Sequence, residues 1–486
     1  MHLPEQTLWH HVRTRFQQIW GYDDFRSPQG EIVRSLLSQR DALVVMPTGG
    51  GKSICFQLPA LMRIGVTLVV SPLVALMENQ VQELRQRQLP AALLHSEMPG
   101  YRRQQTFNDL QRQRLRLLYL SPETLLSESV WKILSQPQIK LNGLILDEAH
   151  CLVQWGETFR PAYQRLGAVR PALLQQRSTN AKLPIAAFTA TADPCAQEVI
   201  RRVLRLQQPD VFLLSPYRDN LYLTVKMVWS PGGRRQALLR FIQQRADYTG
   251  LVYVRTRQDS EHLALWLTEQ GYETTPYHAG LSPHERRHVE EAWINGKIKF
   301  VVCTSAFGMG INARSGVRWV FHFHAPTLLS EYVQEIGRAG RDGKPAEALM
   351  LISEPTGWLD SDDQQRQQFF KDKEAKQRQL ARQIIRQIPA QGDIDTVSRQ
   401  SHYGAIALSL LHSAGHLEWQ DPFHYVITRS QVPQTSPLAK AAQQMSQYLK
   451  TRRCRWQFIL TAFGFAQDAA DLGAGCGHCD RCLSTH

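Results

Sequence analysis

Residues 44–53 read Val44-Val45-Met46-Pro47-Thr48-Gly49-Gly50-Gly51-Lys52-Ser53. The apolar run Leu43–Val45 predicts a buried strand, and the segment from Ile54 to Met62 suits a helix. Strand, glycine loop and helix in that order make a phosphate cradle. Glycines let successive backbone N–H groups turn inward, and the helix adds the positive end of its dipole. Lys52 is placed to reach the β- and γ-phosphates of a triphosphate, and Ser53 to ligate Mg²⁺. Thr48, Gly49, Gly50 and Gly51 form the rest of the loop. The strict pattern starts on glycine or alanine, and Met46 departs from it. A glycine-rich turn with a chance Lys-Ser would read the same way, so the rest of the chain decides.

The acids such a cradle needs come later, in Leu144-Ile145-Leu146-Asp147-Glu148-Ala149-His150. An apolar strand that ends in two acids sets both carboxylates at the carboxyl edge of a sheet, where ligands bind in open α/β folds. Asp147 would hold Mg²⁺ through water, and Glu148 would orient and deprotonate the attacking water. Arg338 and Arg341 then stand three apart among Gly337, Gly340 and Gly343. That pattern suits arginines that approach a γ-phosphate closely, supplied by a second α/β domain of the same chain.

Composition sets the bounds. The length of 486 residues predicts roughly three or four domains. No apolar run is long enough for a membrane span, and the first thirty residues lack the pattern of a secretory signal. The expectation is a cytoplasmic protein with no membrane partner, associated with the nucleoid if bacterial. A net charge of +13 points to a polyanion, most simply nucleic acid.

Short apolar strands alternate with helical segments from 41 to about 210. Candidates are Ala42–Met46, Thr67–Ser71, Leu115–Leu120, Leu144–Leu146 and Ile185–Thr189. Gln207–Asn220 reads as a turn-rich boundary, after which the pattern restarts with Gly250–Val254, Glu273–Tyr277, Phe300–Thr304 and Val317–Phe323. Residues 360–386 read as a solvated helix or linker. A helix around His402–His412, followed by two strand-like pieces flanking Asp421-Pro422, suggests a winged-helix-like unit over 393–430. Past a linker, one long helix is expected from about Leu438 beyond Phe458.

Two features remain. His150 to Tyr163 places Trp155, Phe159 and Tyr163 four apart, interrupted by Gly156 and Pro161. Aromatic faces stack on bases without regard to sequence, and Arg160 adds charge. A core stripe would share that spacing. Of the eight cysteines, Cys454, Cys476, Cys479 and Cys482 include two consecutive C-x-x-C steps and make a four-thiolate set suited to tetrahedral Zn²⁺. An iron–sulfur cluster or disulfides would use the same residues. His478 falls between ligands and reads as a bystander.

Together these segments resemble the RecQ family of DNA helicases, within helicase superfamily two. The resemblance runs from residue 20 to about 343 and returns at the cysteines. It implies two tandem RecA-like parallel-sheet domains, 1–210 and 211–357, then a helical linker over 358–392, the winged-helix-like unit over 393–430 and a helical zinc-binding module over 431–486. It accounts for Met46, which stands at the start of the family's phosphate loop. Tyr22, Arg26 and Gln29 match an adenine-recognition motif in which Tyr and Arg sandwich the base and Gln reads its edge. Ser71-Pro72-Leu73 resembles a segment that holds single-stranded backbone, and Phe188-Thr189-Ala190-Thr191 one that couples hydrolysis to domain movement. In Cys303 to Asn312, Thr304 would touch DNA phosphate and Gly310 would sit near the nucleotide. The loop with Trp155, Phe159 and Arg160 resembles the family's link between DNA contact and ATP hydrolysis. In the zinc module the first ligand would lie on a helix.

The implied activity is a DNA-dependent ATPase that moves 3′→5′ on single strands and unwinds duplex or branched DNA in recombination and repair. ATP, Mg²⁺ and Zn²⁺ are its cofactors, Lys52, Glu148, Arg338 and Arg341 its catalytic residues, and single-strand-binding or repair proteins its partners. The chain ends soon after Cys482, so the family's C-terminal winged helix and the further helical DNA-binding domain are not expected. An RNA helicase of the same superfamily, or an ATP-independent DNA-binding or annealing scaffold, stands as the alternative.

Overall fold

The computed structural model describes residues 5–154, 160–307, 316–354, 358, 359, 361–429 and 437–483. It divides into two compact units. One contains Met1–Met46, Gly50–Leu214 and Gln377–Gln434; the other contains Pro47–Gly49, Ser215–Lys376 and Thr435–His486.

The first unit is built on a seven-stranded parallel sheet: β1 Ala42–Val45, β2 Val66–Val70, β3 Ala91–Leu94, β4 Leu117–Leu120, β5 Leu141–Leu146, β6 Ile185–Thr189 and β7 Asp210–Leu213. Its order is β3-β4-β2-β5-β6-β1-β7. Continuous apolar runs such as Ala42–Val45 and Val66–Val70 are what strands buried on both faces require. Leu43, Val45, Leu68, Val70, Leu144 and Leu146 face one core, and Val44, Val69, Ile145 and Phe188 the other. The phosphate loop leaves β1 and the acids leave β5; both strands pair with β6, which brings both exits to the carboxyl edge.

Two strands carry no sequence signature. Ala91-Ala92-Leu93-Leu94 has the composition of a helix, yet it pairs with β4. The stretch expected as a turn-rich boundary contributes β7, which pairs with β1 and so belongs to the first sheet. It is a short edge strand with no buried residue, which is why it reads as a turn.

The second unit holds a six-stranded parallel sheet: β8 Leu221–Val228, β9 Gly250–Tyr253, β10 Pro276–Tyr277, β11 Phe300–Cys303, β12 Trp319–His322 and β13 Ala346–Ser353. The order is β10-β11-β9-β12-β13-β8. Only Pro276–Tyr277 of the expected Glu273–Tyr277 strand pairs, at the sheet edge where a proline is tolerated. The long pair β8–β13 was not anticipated. Helix Asp362–Ile385 begins in the second unit and ends in the first.

A small antiparallel sheet belongs to the first unit: β14 Gln391–Asp393, β15 Leu417–Trp419 and β16 His424–Ile427, ordered β14-β16-β15. Asp421 Oδ1 accepts bonds from the backbone N–H groups of Phe423 (2.7 Å) and His424 (2.8 Å), fixing the turn between β15 and β16. Helices Ile394–Gln400 and Gly404–Ser413 complete this part, with Ile394, Val397, Ile406, Leu410, Trp419 and Tyr425 in its core.

The single C-terminal helix expected past Phe458 is two helices, Pro437–Lys450 and Arg455–Ala462. Cys454 is the N-cap of the second, at φ −48° and ψ 133°, and not a residue within a helix. The break turns its thiol toward the other cysteines.

Candidate functional site

Helix Lys52–Leu61 starts from Gly51 at φ 84° and has no side-chain cap. Its first N–H groups are therefore left for a ligand, as an anion-binding helix terminus requires. Gly51 is in the left-handed region that favours glycine, and a Cβ there would lie 2.4 Å from Gln29 Nε2 and displace that amide. Gln29 is buried. Its Nε2 donates to the Gly50 carbonyl (2.9 Å) and its Oε1 accepts from the Arg26 backbone N–H (3.0 Å). The residue expected to read a base edge thus ties the adenine-motif segment to the phosphate loop. Tyr22 and Arg26 are exposed, with the Tyr22 ring 5.9 Å from that of Phe16.

At the end of β5, buried Asp147, Glu148 and His150 gather around half-buried Lys52. Lys52 Nζ lies 3.3 Å from Glu148 Oε1. His150 Nδ1 lies 3.3 Å from Glu148 Oε2 and 3.0 Å from Thr189 Oγ1. Asp147 Oδ2 accepts from Gln80 Nε2 (3.2 Å), and its Oδ1 from the Glu148 backbone N–H (3.0 Å). Burial, then the neighbouring Glu148 carboxylate, push Asp147 up to about 6. Burial also raises Glu148, but the Lys52 ammonium and the adjacent His150 ring outweigh it and hold this acid well below the usual carboxylate range. Glu148 sits in the left-handed region, at φ 53°, a conformation that costs a non-glycine residue free energy and clusters at functional sites. One acid is thus kept ionised by a lysine while its neighbour is burdened. Added positive charge at Asp147 would relieve that burden, which fits Mg²⁺ there. Thr189 Oγ1 also accepts from the Thr191 backbone N–H, at 3.3 Å, which links the β6 end to His150. Gln80 and the contact between His150 and Thr189 were not singled out by sequence reasoning, although Thr189 falls in the segment expected to couple hydrolysis to domain movement. Gln80 lies on helix Val74–Gln86 with no local signal.

The residues expected to meet DNA divide. Ser71 is buried and its hydroxyl has no hydrogen-bond partner among the described residues. Arg160 donates to the Pro72 carbonyl, and its Nε lies 3.3 Å from Glu123 Oε1. Thr304 is half-buried at the end of β11. Tyr163 is fully buried in the first core, so of the aromatic triplet it is a packing residue. Trp155, Phe159 and Gly310 lie outside the described residues. In the second unit Arg338 is buried, with its guanidinium on the Tyr253 hydroxyl. Arg341 is half-buried, and its Nε donates to the Gly337 carbonyl at 3.2 Å.

Cys454, Cys476, Cys479 and Cys482 converge, with all four Sγ atoms within 4.8 Å of one another. Three separations are 3.5, 3.9 and 3.9 Å. A tetrahedron with Zn–S bonds of about 2.3 Å has edges of about 3.8 Å, so the sulfurs fit zinc. Backbone N–H groups of Cys476, His478 and Arg455 point at Cys454, Cys476 and Cys479 sulfurs at 3.3–3.4 Å. Such donors stabilise thiolates and orient them. His478 Nδ1 bonds the Cys476 carbonyl at 2.7 Å and is not among the four converging groups. The module shares a core with the second sheet through Tyr448, Trp456, Ile459 and Phe463. Trp456 Nε1 donates to Leu221 O (3.1 Å), and the Leu223 N–H to His478 O (3.4 Å). It thereby covers part of edge strand β8, whose backbone would otherwise be open.

Comparison with known proteins agrees with this layout. Residues 26–199 match the DEAD/DEAH box helicase family, 233–343 the helicase conserved C-terminal domain and 423–483 the RecQ zinc-binding family. The ATP-dependent DNA helicase RecQ of Synechocystis sp. is 54% identical over 470 residues, covering 96% of this chain and 97% of that one. The ATP-dependent DNA helicase RecQ of Pasteurella multocida is 40% identical over 70% of this chain, which spans 52% of that relative. Among solved structures, Saccharomyces cerevisiae Dbp5 bound to RNA and ADP BeF3 superposes with a TM-score of 0.57 at 16% identity, over 71% of this chain and 88% of that one. Mycobacterium smegmatis helicase Lhr bound to ssDNA and AMP-PNP gives 0.56 at 18% identity, over 91% and 61%. At such identities the structural likeness is one of fold, two tandem RecA-like sheets.

Proposed function

The chain belongs to the RecQ family of ATP-dependent DNA helicases, and from that premise we propose that it spends ATP hydrolysis on 3′→5′ movement along single-stranded DNA, unwinding duplex or branched DNA. The observation that carries this is the buried Lys52–Glu148–Asp147 cluster beside an uncapped, glycine-led helix terminus. Lys52 leaves Glu148 to meet the β- and γ-phosphates, which frees Glu148 to take a proton from the attacking water. Mg²⁺, held by Ser53 and Asp147, would neutralise phosphate charge. His150, through Thr189, relays the state of Glu148 to the segment Thr189–Thr191. Arg338 and Arg341 stabilise charge in the transition state. Of the two, the half-buried Arg341 is the direct contact, and Arg338, held on Tyr253, orients its segment. Tyr22 and Arg26 hold the adenine. DNA contacts fall to Trp155, Phe159, Arg160 and Thr304, mostly to phosphates and stacked bases, so binding is salt-sensitive and largely blind to sequence. Buried Ser71 serves by shaping the β2 end.

Zinc contributes folding energy to the C-terminal module and no chemical step. Among the described residues no helix is long and apolar enough to cross a membrane. A cytoplasmic, nucleoid-associated protein that meets single-strand-binding or repair proteins accords with this reading. The RNA-helicase and annealing-scaffold alternatives are disfavoured by the 54% identity to a named DNA helicase. The test is ATP turnover with single-stranded DNA or RNA, and unwinding of duplexes tailed at one end. Stimulation by DNA and unwinding from 3′ tails are expected; stimulation by RNA alone, or unwinding only from 5′ tails, would refute the reading.

A further inference from the structure

The small sheet and its helices have the order of a winged helix: helix Asp362–Ile385, β14, helix Ile394–Gln400, helix Gly404–Ser413, then the β15–β16 hairpin. In such a unit the third helix is the one that enters a DNA groove. Here it is Gly-Ala-Ile-Ala-Leu-Ser-Leu-Leu-His-Ser, without a lysine or arginine, and Gly404, Ile406, Ala407, Leu408, Ser409, Leu410 and Leu411 are all buried. Neither its charge nor its exposure suits DNA.

What it touches is the first RecA-like part of the same unit. His412 Nδ1 lies 2.9 Å from Gln164 Oε1, and Arg165 Nη1 donates to Pro422 O at 3.1 Å. Arg205 Nη2 donates to Trp419 O at 2.9 Å, and the Phe423 ring meets Trp131 edge-on at 5.2 Å. Ala168 is buried in the winged unit's own core. Of these, the contacts of Gln164, Arg165 and Ala168 fall on Pro161–Ala168, an eight-residue 3₁₀ helix whose N-cap is Arg160; the Arg205 side chain lies against Gly167 of that helix, and Trp131 belongs to helix Glu128–Leu134. Runs of 3₁₀ helix beyond three or four residues are uncommon and mark strain or a hinge. Relaxing eight residues to an α-helix would shorten the segment by about 4 Å and displace its start. Surrounding contacts must therefore hold it, and the docked helix supplies those on one side.

We propose that residues 391–429 are a brace: docking of helix Gly404–Ser413 and the Asp421–Phe423 turn on Pro161–Ala168 fixes the segment that begins at Arg160 and so sets how strongly DNA accelerates ATP turnover. This rests on the helicase reading above. His412 and Arg205 are positioning residues that act through Pro161–Ala168, and Phe423, seated on Trp131, keeps the Asp421–Phe423 turn docked beside it. The contact of Arg160 with Pro72 and Glu123 would carry the effect to the β2 end.

The test uses the full chain with His412→Ala and Phe423→Ala combined, Arg205→Gln alone, and the conservative pair His412→Gln with Phe423→Tyr. In the alanine pair the DNA-stimulated turnover number is expected to fall about tenfold, as small misplacements near a site do. The unstimulated rate and the DNA concentration giving half-maximal stimulation stay as in the parent. Arg205→Gln, which leaves all apolar packing intact, falls in the same direction by less, and the conservative pair restores stimulation. Unchanged stimulation in the alanine pair and Arg205→Gln overturns the proposal. So does a parallel loss of unstimulated and stimulated turnover, which would mark a general structural role. A parent chain whose ATPase ignores DNA would defeat the helicase reading, and the brace with it.

Discussion

The carboxyl edge of the first sheet and the C-terminal zinc module both set an acid against a basic residue, and they differ in how fully that ion pair is hydrogen-bonded. At the sheet edge, Asp147 and Glu148 share a buried space with Lys52, Glu148 is in a left-handed conformation and Asp147 is held near pKa 6. In the module, Asp480 takes a forked pair of bonds from fully buried Arg455 (2.8 and 2.9 Å), whose Nη1 also donates to Tyr448 O at 2.6 Å. Each guanidinium nitrogen of Arg455 thus has its acceptor, whereas Glu148 Oε2 at the sheet edge has no hydrogen-bond partner among the described residues. On the proposed function the first arrangement receives phosphates and a cation, whereas the second closes around its four thiols. A site that must bind and release a ligand leaves part of its ion pair unbonded, whereas one that holds a fold does not.

The largest break of this contrast is Cys479→Ser. With one thiolate gone the chain should lose stoichiometric zinc, and the module should lose folding free energy on the order of 10 kcal/mol. Limited proteolysis should then cut within 437–483, and retained zinc at one per chain would contradict the metal assignment. Next come two acid-to-amide changes with opposite signs. Asp480→Asn leaves Arg455 buried without its counter-charge and should cost about 3 kcal/mol, with weaker zinc retention against a chelator. Asp147→Asn should instead stabilise the nucleotide- and metal-free chain. The native pKa of Asp147, about 6, lies above the ordinary 3.8. The native state therefore holds the proton more tightly, and the parent loses stability as pH rises from about 4 through 6. The amide escapes that loss, so the variant should gain on the order of 1–3 kcal/mol at pH 7 and nothing below pH 4. Denaturant titrations at pH 4 and pH 7 measure both.

The same contrast explains what was legible in the sequence. Lys52, Asp147, Glu148 and the four cysteines were readable because their chemistry demands fixed residue types at fixed spacing. The central strands were readable because burial on both faces leaves uninterrupted apolar runs. Illegible were features set by tertiary context. Ala91–Leu94 is a strand only because β4 lies beside it. Gln80 reaches Asp147 from a helix, and Gln29 turns toward Gly50, on contacts that no local pattern announces. Tyr163 shares its spacing with residues expected to stack on bases, yet its position beside Leu166 and Leu173 makes it core. The break before Cys454 was missed because Thr451-Arg452-Arg453 contains neither glycine nor proline.

The central claim is that Glu148 activates water at a phosphate site served by Lys52 and that DNA accelerates this step. Glu148→Gln keeps the shape of the side chain and removes its basicity. Steady-state ATP turnover with saturating single-stranded DNA tests it most directly, with ATP binding measured in parallel. The account predicts retained ATP binding and turnover lowered by about 10³-fold. Turnover within tenfold of the parent, with DNA stimulation intact, would contradict it.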